Sequence, residues 1–175
     1  MNKLARNLAI TVLLCCLGAA QADPTVSITP NKSVVGVGDT FTVDIVMTDF
    51  PTTQGGGLSL DYREGVVTVK SVTVNGTAWN FKNKSGTINN DQGILSEVLF
   101  SAFPGVTGDA TIATVEFEAI RKGRSHLRLS GSDTNPFASA GDTPSVNYTA
   151  GASIRVKPGA RNKAQRKNKR KKNKR

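Results

Sequence analysis

The sequence predicts an all-β domain, a sandwich or barrel of about nine short strands. Apolar residues recur at every second position in one run after another, and no stretch sustains a 3.6-residue period. Glycine and proline cluster between the runs, at 36–38, 55–57 and 104–108, which reads as turn punctuation. The charge distribution then separates a domain from a tail. The chain has 175 residues and a formal charge of +10, but eleven basic residues and no acid lie in 157–175. Residues 23–156 carry ten basic against thirteen acidic side chains, a net −3. That split excludes a uniformly basic nucleic-acid-binding fold. The Val, Ile, Leu and Phe content of the same region excludes a disordered chain.

Each strand has its own justification. Residues 25–29 alternate and stop at Pro30. Phe41, Val43, Ile45 and Met47 alternate with Thr42, Asp44 and Thr48, so one face of that strand is buried. Leu58, Leu60 and Tyr62 alternate with Ser59 and Asp61. Residues 66–74 alternate again and end on Asn75-Gly76, a pair that tolerates positive φ and predicts a hairpin turn. Residues 79–84 make a weaker, more polar strand. Strands follow at 94–100 and 111–120. Arg121-Lys122-Gly123 turns the chain into a strand at 125–130, and 146–156 is the last.

Residues 1–22 read as an export signal, removed from the mature protein. Lys3 and Arg6 precede a ten-residue run at 8–17 that is apolar apart from Thr11, and Ala20-Gln21-Ala22 gives a small-x-small cleavage pattern before Asp23. The apolar run is too short to span a bilayer as a helix. The protein is expected to be secreted: extracellular, periplasmic or associated with the cell surface. Both cysteines, Cys15 and Cys16, fall inside the signal, so the mature domain has no disulfide or thiolate chemistry and relies on its core.

At two places the residues become specific. One is Gly57-Leu58-Ser59-Leu60-Asp61-Tyr62 followed by the strand at 66–74. The other is Leu99-Phe100-Ser101-Ala102-Phe103, then Gly105-Val106-Thr107-Gly108-Asp109-Ala110 leading into Thr111-Ile112-Ala113-Thr114-Val115-Glu116-Phe117. With Val26-Ser27-Ile28 and Val37-Gly38-Asp39-Thr40-Phe41 before them, their order and spacing resemble the cohesin domain family over about residues 25–156. The resemblance implies a nine-stranded jelly-roll β-sandwich, related to the jelly rolls of some carbohydrate-binding modules. The expected organisation is a signal peptide at 1–22, a cohesin-like sandwich at 23–156 and a disordered polybasic tail at 157–175.

Catalytic chemistry is not expected. His126 is the only histidine, placed on an outward strand position, and neither a His-Glu-x-x-His nor a Gly-x-Ser-x-Gly motif occurs. Glu116 and Glu118 share a strand face, as two glycosidase carboxyls would, but Val115, Phe117 and Ala119 alternate with them, which reads as a solvated sheet face. The oxygen-rich stretches at 89–92 and 130–133 lack the spaced carboxylates of a calcium site. No metal or other cofactor is expected.

The resemblance implies a non-catalytic binding module. Cohesins bind dockerin modules through one sheet face, here the strands at 55–62, 79–84, 94–103 and 125–130. Strand parity selects Ser59, Asp61, Glu97, Leu99, Phe103, His126 and Arg128 as its outward residues, with Gly55, Gly57 and Ala102 also on it. Leu99 is the informative one, a large apolar side chain expected to be exposed for a partner to cover. Two departures stand out. Polar side chains expected early on the third strand fall on Gly55 and Gly57, and an acidic residue expected after Phe100 falls on Ala102. The expected partner is an unidentified, dockerin-type protein in an extracellular, polysaccharide-related assembly. The alternative is a carbohydrate-binding module that stacks sugars on Trp79 or Phe103, with Phe81 and Phe137 also in or near loops. The tail, with Arg166, Lys167, Lys169, Arg170, Lys171, Lys172, Lys174 and Arg175, suits an anionic surface or polyanion. Without aromatics it has no means of reading nucleic-acid bases by stacking, so no specific nucleic acid is expected.

Overall fold

The computed structural model describes residues 22–159, and every regular element among them is a β-strand. Residues 1–21 and 160–175, which hold nearly all of the export signal and most of the basic tail, lie outside the described residues. The strands are β1 (Thr25–Pro30), β2 (Val34–Gly36), β3 (Thr40–Asp61), β4 (Val67–Val74) and β5 (Lys84–Asn89). They continue as β6 (Ile94–Ala119), β7 (Gly123–His126), β8 (Arg128–Gly131), β9 (Asn147–Tyr148) and β10 (Ser153–Lys157).

Two strands organise the rest. β3 and β6 are 22 and 26 residues long and pair antiparallel from Thr40–Glu118 to Asp61–Ile94. Register shifts between Met47 and Gly55 mark where the ribbon bends. On one side of the bend it lies between β1 and β4, with β9 outside β1; on the other it lies between β8 and β5. The ribbon thus passes from one layer of a jelly-roll sandwich to the other. A second sheet has three strands, in the order β2-β10-β7.

The two-residue period explains the core. Phe41, Val43, Ile45 and Met47 of β3 and Val115, Phe117 and Ala119 of β6 all point inward and are buried. Phe41 stacks on Phe117 at 5.3 Å between ring centroids, and Phe100 packs edge-on against Trp79 and Phe137.

Several boundaries differ from the sequence expectation. The expected strands at 41–48 and 58–62 are one strand, because Gly55, Gly56 and Gly57 are not a turn but pair with Ser101, Phe100 and Leu99. Glycines 105 and 108 likewise lie within β6. Residues 79–84 do not form the expected strand; the next strand begins only at Lys84. Asn75-Gly76 does turn the chain, with Asn75 Oδ1 accepting from the Thr77 amide, but β4 pairs with β6 and no hairpin joins it to β5. The run 125–130 divides between two sheets: β7 pairs with β10 and β8 with β3. The run 146–156 also divides, into β9 and β10, and β10 ends at Lys157.

Candidate functional site

The outward face of β8, β3, β6 and β5 carries most of the selected residues. Residues opposite one another in antiparallel strands share a side. Arg128 lies opposite Asp61, Ser130 opposite Ser59, Gly57 opposite Leu99, and Lys84 opposite Leu99 on the far side. Leu58, Leu60, Val98 and Phe100 point the other way, into the core. His126 is exposed, as parity predicts, but it sits on β7 opposite Ser153 of β10 and so lies at the margin of this face. Ala102 is buried, one position inward of the face, because it continues the Val98-Phe100 parity.

A bulge sets that parity. Leu58 pairs with Val98 and Leu60 with Leu95, so Ser59 alone opposes Ser96 and Glu97. Glu97 adopts φ 55°, a left-handed conformation that is costly for a side chain with a Cβ. Its carboxylate makes two contacts from there. Oε1 accepts from the Ser132 hydroxyl at 3.0 Å, and Oε2 accepts from the Asn135 amide at 3.1 Å.

Those contacts tie down a strap, residues 132–138, along the edge of β3. Ser132 N donates to Gly57 O, Ala138 N donates to Gly55 O, and Gln54 N donates to Ala138 O. Phe137 plugs the core between Phe50 and Phe100. Gly57 is required by this arrangement. A Cβ on Gly57 would meet Leu99 Cδ2 at 2.8 Å and Ser132 Cβ at 2.9 Å. Leu99 is consequently not the exposed side chain the alternation predicts: it is half-buried, tucked over Gly57. The strap covers the Gly55–Gly57 end and leaves the Ser59–Asp61 end, with Arg128 and Ser130, open.

The aromatic candidates separate sharply. Trp79 is 0% exposed, so the expectation that it stacks sugars is wrong. Its ring packs 4.5 Å from that of Phe100 and its Nε1 donates to Thr111 O, which satisfies its one polar atom inside the core. Phe137 is buried too, whereas Phe103 is 78% and Phe81 65% exposed. Both exposed rings are held on a stiff backbone. Asn80 Oδ1 accepts from Phe103 N, Phe81 N donates to Ser101 O, and Asn83 Oδ1 accepts from Ser101 N. Lys82 lies 5.5 Å from the Phe81 ring centroid. Phe81 fell within the expected weak strand at 79–84 and was not among the selected face residues; its signal was an aromatic flanked by Asn80 and Lys82, a composition unsuited to a core.

The oxygen-rich loops are structural. Asn90 Oδ1 accepts from Val69 N at 2.8 Å and from the Tyr62 hydroxyl at 2.7 Å, fixing the β5–β6 turn to β4. Burial pushes the Tyr62 phenol up to about 12. Glu118 pairs with Lys70 at 3.2 Å and Glu116 accepts from the Ser71 hydroxyl, as on a solvated sheet face. Among the described residues no group of three or more His, Cys, Asp or Glu is placed to hold a metal.

No family model matches the chain. No curated protein matches it in sequence. Solved structures do. A non-cellulosomal cohesin from the hyperthermophilic archaeon Archaeoglobus fulgidus superposes with TM-score 0.64 at 17% identity, over 83% of this chain and 97% of that one. A type II cohesin domain from the cellulosome of Acetivibrio cellulolyticus gives 0.61 at 14%, over 76% and 95%. The third cohesin of ScaC from the same organism, solved in complex with the ScaB dockerin, gives 0.56 at 18%, over 78% and 99%. This chain has the fold of a cohesin domain, as the sequence resemblance implied.

Proposed function

We propose that this protein is a secreted, non-catalytic binding module that holds a dockerin-type protein on the open half of its β8-β3-β6-β5 face. The division into signal peptide, sandwich and tail belongs to the same reading, as does an extracellular, polysaccharide-related setting. The observation that carries it is the composition of that half-face. Ser59, Asp61, Ser130 and Arg128 form a polar strip on the open half, and Phe81 and Phe103 stand exposed toward its other end, on segments that meet β3 and β6 at the Gly55–Ser101 pair. Aromatic anchors beside a charged rim are the usual composition of a protein-binding hot spot. The likeness to a cohesin solved with a dockerin supports the choice of partner.

The basic tail would hold the module on an anionic surface or polyanion without reading sequence. Its exit supports a division of labour. The chain leaves β10 beside Gly36 of β2, near Ala119, at the far end of the β3–β6 ribbon from its bend. Phe103 lies just before that bend, next to the Gly55–Ser101 pairing. A module held by its tail would therefore present its aromatic end away from the anchoring surface.

Calorimetric titration against calcium-loaded dockerin modules from the same organism tests the reading. Saturable binding that Phe103→Ser or Asp61→Lys weakens at least tenfold, with Lys70→Ala on the other layer unaffected, is expected. Binding unaffected by both face variants would overturn the face. Phe81 and Phe103 also keep the carbohydrate-binding alternative alive, now without Trp79. Retention on an insoluble neutral polysaccharide that Phe81→Ser abolishes would favour it instead.

A further inference from the structure

A groove of about 450 Å³ runs along the edge of β8 that faces away from β3. Its walls are residues 126–129 on one side and 148–151 on the other. The groove exists because two segments diverge. Leu127 N donates to Ala152 O at 2.8 Å, and Gly151 packs on the Leu127 carbonyl where any Cβ would collide. From there the chain is drawn toward β1, since Thr149 N donates to Val26 O, while β8 stays with β3. At the other end the Tyr148 hydroxyl sits over Gly131. Beyond Tyr148 lies a second depression of about 360 Å³, lined in part by Ser130, Pro136, Thr143 and Pro144. Tyr148 lines both.

The first groove has an unusual charge for this domain. Its lining contains His126 and Arg128 and no carboxylate, on a domain of net −3. Asp61 is the cross-strand neighbour of Arg128, but the only ion pair within 4.0 Å among the described residues is Lys70–Glu118. Arg128 therefore offers a guanidinium fork without a bound carboxylate. Tyr148 and Thr149 add hydroxyl groups, and Leu129 and Ala150 add apolar surface. The Tyr148 phenol, raised further above its ordinary value by burial, is a hydrogen-bond donor at neutral pH.

We propose that this groove binds an acidic saccharide, with the carboxylate of a uronic acid residue on Arg128 and its sugar ring against Tyr148. The volume falls within the roughly 300–1,000 Å³ of small-ligand sites. A carboxylate matches the guanidinium bidentately, ring hydroxyls match Thr149 and Tyr148, and the apolar face of a pyranose matches the aromatic ring. The protein's own basic tail is a poor occupant, because its charge has the same sign as Arg128. An added peptide strand fits badly too. The Leu127–Ala152 hydrogen bond and Tyr148 over Gly131 close the two ends, leaving about three residues of β8 edge, too short for strand addition. Arg128 also belongs to the proposed partner face, whereas Ala150 lies on the groove's other wall, so a variant at Ala150 separates the two readings.

The test is an amide-resolved NMR titration of the chain from Asp23 to Arg175 with trigalacturonate, at a salt concentration high enough to screen the tail. Saturable shifts at Leu129, Tyr148, Thr149 and Ala150 are expected, with cellotriose producing none. Arg128→Gln should weaken binding at least fivefold. Ala150→Asp, which places a carboxylate in the groove on the wall away from the partner face, should abolish it while leaving protein-partner affinity intact. Shifts confined to the tail, equal binding of cellotriose, equal binding of hexaglutamate at the same amides, or an Ala150→Asp variant that binds normally would each overturn the assignment.

Discussion

Glu97 and Asn135 lie 38 residues apart in sequence and are joined by a 3.1 Å hydrogen bond from Asn135 Nδ2 to Glu97 Oε2. Together with the Ser132 bond to Oε1, it fastens the strap to a bulge on β6. The positive φ of Glu97 is the backbone consequence of aiming that carboxylate across the sheet. Hydrogen bonds to a charged group contribute about 1.5–3 kcal/mol each when partly buried. Glu97→Ala should therefore lower unfolding free energy by about 2 kcal/mol in urea titration, and Glu97→Gln by less. Amide exchange at residues 132, 135 and 138 should accelerate in Glu97→Ala. Unchanged protection at Ala138 would mean the strap does not depend on this anchor.

Leu99 and Gly57 should behave as a pair. Gly57→Ala overfills the gap beneath Leu99 and should cost roughly 1–3 kcal/mol. Leu99→Ala reopens that gap, so in the double variant the two losses should be less than additive. Leu99→Asp should both destabilise the fold and weaken a partner, because the side chain is half-buried. A thermally neutral Leu99→Asp would show that Gly57 does not shelter it.

Alkaline stability carries a defined sign. The folded Tyr62 phenol titrates near 12 and the unfolded one near 10.0. The native state thus holds the proton more tightly, and the contribution is complete below pH 10 and lost as pH rises through 12. Two units correspond to about 2–3 kcal/mol. Tyr62→Phe should lower stability at neutral pH, by removal of the Asn90 hydrogen bond, and flatten much of the decline above pH 10. Tyr148 is raised in the same direction and should leave a residual decline. An unchanged alkaline profile in Tyr62→Phe would refute the assignment.

The tail and the domain should be separable only at the right residue. Lys157 belongs to β10, opposite Gly36, and its carbonyl accepts from Val37 N. Deleting 160–175 should leave the melting temperature unchanged, whereas deletion from Lys157 onward should lower it. Retention on phosphatidylserine vesicles should disappear with the shorter deletion and fall steeply with salt. Each basic residue near the surface contributes on the order of 1 kcal/mol, and the attraction is largely screened beyond about 8 Å at ~0.15 M salt. Salt-independent retention would remove the tethering role.

Strand identity was legible from sequence because alternation is local. Phe41, Val43, Ile45 and Met47 carry their burial in their own spacing, and the order of the cohesin-like blocks indicated the sandwich. The same parity placed Ser59, Asp61 and Arg128 on one face. What decided the remainder was tertiary. No local pattern tells that Trp79, in a polar turn, closes onto Phe100, since that contact depends on how the 75–83 segment folds back over β6. No local pattern tells that three glycines are a strand rather than a turn, because what requires them is the close approach of β6 at Gly55 and of the 132–138 strap at Gly56 and Gly57. Burial of Leu99, the reach of Glu97 and the groove beside β8 all arise where segments distant in sequence meet. The two-residue period determines which way a side chain points; only the assembled layers determine what, if anything, covers it.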